Sequence, residues 1–71
     1  MKTILNEDLK LFGEKLRTLR KNKNISQEKF AEITELDRTY ISGLERGLRN
    51  PSFLIIKKLA SALNVNPSEL F

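Results

Sequence analysis

Residues 26–50, SQEKFAEITELDRTYISGLERGLRN, read as two short helices joined by a turn of three residues, Glu35, Leu36 and Asp37. Ser26 has a side-chain oxygen suited to capping a helix from Gln27 to about Thr34, although the residue three places on is a lysine and completes only half a capping box. Phe30 and Ala31 face inward from that helix. Asp37 caps the next, from Arg38 to about Arg46, where Ile41 and Leu44 pack back with Tyr40 at the edge and Gly47 supplies the stop. The outer face of this second helix is then Arg38, Thr39, Ser42, Gly43 and Arg46.

On either side the helical spacing continues. Leu5, Leu9, Phe12, Leu16 and Leu19 follow steps of three and four and predict a first helix. Asn6 caps it in this reading, with Glu7 and Asp8 in its first turn and Arg20, Lys21 and Lys23 near its end, both matched to the helix dipole. Gly13 weakens its middle slightly. Downstream, Pro51 and Ser52 open a fourth helix whose Phe53, Ile56, Leu59, Ala60 and Leu63 share one face, and Asn64 ends it. Asn66 caps a last short turn with Pro67 at its first position, and Leu70 and Phe71 finish as apolar plugs. No run alternates as a strand would. The expected fold is all-α, one domain over residues 1–71, with four helices plus a short C-terminal helical turn.

A chain of 71 residues with 39% hydrophobic content lies near the lower limit for independent folding, so a partner subunit would help it. The formal charge of +4 is unevenly placed: residues 38–58 hold Arg38, Arg46, Arg49, Lys57 and Lys58 against Glu45 alone. A basic face of this kind attracts polyanions in a salt-dependent way. With neither Cys nor His, the chain lacks disulfides, thiolates, imidazole bases and the usual zinc ligands, and an enzyme is not expected. No cofactor or metal is implied. No apolar run reaches membrane-spanning length, and MKTILNEDLK is interrupted too early for a signal peptide, so the expected location is the cytoplasm.

A helix pair joined this tightly can hold one helix across a DNA backbone and press the next into the major groove. The N-terminal half of the second helix enters the groove, which assigns base reading to Arg38, Thr39 and Ser42; Tyr40, at the edge, either reads a base or packs its ring in the core with only the hydroxyl reaching phosphate. Arginine can grip guanine O6 and N7 with two hydrogen bonds, and a threonine methyl can meet that of thymine. Helix four carries Leu54 and Ile55 away from its core face. With Val65, Leu70 and Phe71 they could form a two-fold dimer surface setting two recognition helices about 34 Å apart.

SQEKFAEITELDRTYISGLERGLRNPS resembles the Xre-type helix-turn-helix family of phage repressors and Cro-like proteins, over about Leu9 to Phe71. Within it, DRTYISGLERGLRNPS looks like the controller proteins of restriction-modification systems. The resemblance implies a lambda-repressor-like fold and a homodimeric transcription regulator on a pseudo-palindromic operator, with double-stranded DNA as partner. Two dimers on adjacent sites and RNA polymerase are further candidate partners. It also implies that Gln27, at the start of helix two, holds a phosphate with its side chain and with the helix N-terminus, where free N–H groups favour an anion. Arg46, Arg49 and Asn50 would grip the backbone beside the groove, and Arg20 and Glu45 would form a structural ion pair. Glu35 departs from the family, which usually has glycine there because the turn residue often needs positive φ, so glutamate is expected to be strained by about 1 kcal/mol or more if the turn keeps that geometry. Gly43 is a second departure, so that either the backbone approaches DNA closely or one base pair goes unread by contact. A phage-type repressor, and an antitoxin-like interaction module using Ile33, Leu54, Ile55 and Phe71, stand as alternatives.

Overall fold

Four helices and a closing turn follow one another: α1 (Lys2–Asn22), α2 (Gln27–Thr34), α3 (Arg38–Glu45), α4 (Phe53–Leu63) and a 3-10 turn (Pro67–Leu70). The structure, a computed structural model, describes the backbone from Lys2 and the side chains from Glu7 to Phe71. Among the described residues there is no strand. α1 packs on α3, α2 on both α3 and α4, and the 3-10 turn against α4 and α1. Phe12, Leu16, Phe30, Ile41, Leu44, Leu59, Leu63 and Leu70 meet in the space between them. Burying each such side chain stabilises the fold by about 1.5–3 kcal/mol.

The caps of the later elements form. Ser26 accepts a hydrogen bond from the Lys29 amide at 3.0 Å, Asp37 from Thr39 at 3.2 Å and Ser52 from Ile55 at 3.2 Å. Asn66 and Glu69 complete a reciprocal box around Pro67. All four helix ends use one closing device: Asn24, Glu35, Gly47 and Asn64 turn left-handed at φ 58°, 60°, 77° and 58°. The residue after each donates back across the last turn, as Leu36 does to the Ala31 carbonyl at 3.1 Å and Leu48 to Gly43 at 2.9 Å. Ile25, Leu36 and Val65 in these positions pack on the core, while Leu48 stays exposed.

Several expectations are corrected. α1 begins at Lys2, so Asn6 lies inside the helix and does not cap it, and the Leu5 side chain lies outside the described residues. Phe53 is 71% exposed and does not join the core. It is the first residue of α4, on the edge of the apolar stripe, and the Lys57 ammonium covers its ring at 5.5 Å instead. Ile55 is half-buried against the core. Gly13 does more than loosen a helix: an added Cβ would lie 2.5 Å from the carbonyl oxygens of both Leu44 and Glu45, so α1 and α3 touch backbone to backbone there.

Candidate nucleic-acid interface

Position begins with a buried ion pair. Arg20, on α1, donates from Nε to Glu45 Oε2 at 2.6 Å and from Nη2 to Oε1 at 3.0 Å, and its Nη1 reaches the Ile25 carbonyl at 2.6 Å. The fork geometry of guanidinium on carboxylate fixes α3 against α1 in direction as well as distance. Glu45 takes part in both contacts between these helices: its backbone meets α1 at Gly13 and its side chain meets Arg20, seven residues further along α1. Gln27 joins the network, donating from Nε2 to Glu45 Oε1 at 3.0 Å. One acidic side chain therefore ties α1, α2 and α3 together. Its charge is neutralised inside the molecule and does not oppose an approaching polyanion. The Gln27 side-chain amide, expected on a phosphate, is instead engaged by Glu45 in this network, and only its backbone N–H lies at the start of α2, where Ser26 caps the Lys29 amide.

Held in this way, α3 turns its leading end outward. Arg38 and Thr39 are exposed, Ser42 is half-buried, and Arg46, Arg49 and Asn50 are exposed in the segment that follows. Tyr40 is half-buried against the core, and the Arg49 guanidinium carbon stands 6.0 Å from its ring centroid. Gly43 differs from expectation: it is buried on a face otherwise open to solvent, because the Arg49 side chain lies across it. The outward face is thus Arg38, Thr39, Ser42 and Arg46, with Arg49 laid over the glycine. Helical spacing shows which way residue 43 points but cannot show that a loop arginine returns to cover it.

The surface assigned to self-association is partly redrawn. Leu54 is 72% and Phe71 67% exposed, whereas Leu70 is fully enclosed in the chain's own core and Val65 packs against it. Leu70 belongs to the core because the Asn66 box turns the chain back under α4. Phe71 rests tilted on Phe12 with ring centroids 6.3 Å apart. Beside them an apolar cleft of about 380 Å³ opens between Leu9, Leu11, Phe12, Ile56, Leu70 and Phe71. No His, Cys, Asp and Glu cluster able to hold a metal ion occurs among the described residues.

This arrangement of α2 and α3 coincides with a family model described as helix-turn-helix, which matches residues 16–70. The chain belongs to that helix-turn-helix family. It is 48% identical over 66 residues to the control protein C.MunI of a Mycoplasma species, covering 90% of this chain and 89% of the relative. The crystal structure of the restriction-modification controller protein C.AhdI from Aeromonas hydrophila superposes with a TM-score of 0.89 at 52% identity, over 92% of this chain and 98% of that one. The controller C.Esp1396I, solved as a tetramer in complex with its natural 35 base-pair operator, matches with a TM-score of 0.81 at 33% identity, over 90% and 84% of the two chains. The all-α, lambda-repressor-like expectation and the resemblance to controller proteins are both borne out by these matches.

Proposed function

We propose that this chain is a sequence-specific DNA-binding transcription regulator, the controller protein of a restriction-modification system, working as a homodimer on a pseudo-palindromic operator. The observation that carries this reading is the outward presentation of Arg38 and Thr39 at the start of α3, on a helix clamped from behind by the Arg20–Glu45 pair. Residues 1–71 act as one DNA-binding domain, with the reading unit at about 26–46 and the self-association surface within 52–71. Arg38, Thr39, Tyr40 and Ser42 read base edges. Gln27, through the start of α2, and Arg46, Arg49 and Asn50, through their side chains, hold the backbone. These are binding groups and not a catalytic set, so the chain is a regulator without enzymatic activity, acting in the cytoplasm.

Exposed Leu54 and Phe71, together with the apolar cleft beside Phe71, support pairing with a second copy of the chain. A two-fold pair would place its α3 helices one DNA turn apart. By analogy with the tetrameric C.Esp1396I complex, two dimers occupy adjacent sites, and regulation through contact with RNA polymerase belongs to the same reading. Selection of binding sites from randomised duplexes tests it. The expected result is a pseudo-palindromic consensus; enrichment of no sequence would overturn the proposal.

A further inference from the structure

At about 100° per residue, positions 39, 43 and 46 share one side of α3, opposite the buried Ile41, Leu44 and Glu45. A residue in the centre of that side, one turn beyond Thr39, would ordinarily extend its own side chain toward whatever the helix docks against. Residue 43 is a glycine and has none. It is nonetheless buried, and the three atoms nearest to where an added Cβ would lie, outside its own helix backbone, all belong to Arg49: Cγ at 2.9 Å, Nε at 3.4 Å and Cδ at 3.7 Å. The Arg49 stem therefore runs over the bare helix backbone, and its guanidinium continues to the neighbouring Tyr40 ring, 6.0 Å from the centroid. Glycine supplies the floor of this seat and the aromatic ring its wall, where the face of the π-system attracts the cation.

We infer that Gly43 is a positioning residue for DNA binding: with Tyr40 it seats Arg49 on the outward side of α3, in place of a side chain at residue 43. This inference rests on the DNA-reading function proposed above. A loop arginine left to itself loses conformational freedom when it docks, and seating it beforehand lowers that cost. The seat also turns the apparent gap at residue 43 into the place of a further outward arginine, beside Arg38 and Arg46. Gly43 touches no DNA in this account and acts only through Arg49.

The test is a double-mutant cycle on the duplex that the wild-type chain selects from random sequence. Gly43→Ala inserts a methyl group into the Arg49 stem, which is flexible and can swing away, so the variant should melt at or above the wild-type temperature. Gly43→Ala and Arg49→Ala should each weaken binding roughly tenfold, and the double variant should lie within about twofold of the weaker single variant. A Gly43→Ala chain that binds as wild type, or losses that multiply in the double variant, would overturn the inference. A readout without DNA comes from the unmutated chain: by NMR, Arg49 side-chain protons should show ring-current shifts and through-space contacts to Tyr40, and their absence is equally fatal. Failure of the wild type to select any site would instead remove the DNA-reading proposal, and this inference with it.

Discussion

Glu35 shows at the scale of one residue how a local rule can be broken and still be obeyed by the backbone. It occupies the left-handed closing position of α2 at φ 60°, ψ 29°, where a residue with a Cβ is strained. The strain expected from its departure from the family pattern is therefore present in the backbone. Glu35→Gly should stabilise the chain by about 1 kcal/mol, read as a rise in melting temperature of about 4–8 °C. No change in DNA selectivity is expected, since the turn geometry is already the one glycine would adopt. Glu45→Gln should have the opposite sign. It leaves the Arg20 guanidinium buried without a counter-charge, and urea titration should show a loss of about 3–5 kcal/mol.

Among the elements, the decisive contact is the crossing of α1 and α3. Gly13 and Gly43 both lie inside helices, where alanine is intrinsically better by about 1 kcal/mol, yet the same substitution should act in opposite directions. At Gly13 the new methyl meets fixed backbone oxygens at 2.5 Å, so the helices must separate. Overpacking of this kind costs about 1–3 kcal/mol, and separation also pulls Arg20 from Glu45. Gly13→Ala should therefore lower both the melting temperature and DNA affinity. At Gly43 the neighbour is a movable side chain, so stability should hold while DNA affinity alone falls.

For the molecule as a whole, charge and apolar surface are separated into different tasks. Phosphate contacts release counterions, so binding should weaken steeply with salt. Arg46→Ala should flatten the slope of log affinity against log salt by about one while leaving the selected consensus unchanged. Self-association should depend on Leu54, which is 72% exposed and supports no core packing. Leu54→Asp should shift sedimentation velocity toward the monomer and sharply weaken operator binding, with circular dichroism of the monomer unaltered. A variant that still sediments as a dimer would place the interface elsewhere.

The helices, their caps and the outward placement of Arg38 and Thr39 could be read from residue order because each depends on neighbours within one or two turns. Ser26, Asp37, Ser52 and Asn66 cap the backbone a few residues ahead of them, and apolar spacing marks which side of a helix is buried. The Arg20–Glu45 pair was accessible only through family resemblance, since 25 positions separate its partners. The roles of Gly13 and Gly43, the exposure of Phe53 and the enclosure of Leu70 lay beyond linear reading for one reason. Periodicity gives the direction in which a residue points, but how near another segment comes in that direction is set by how all the elements pack together.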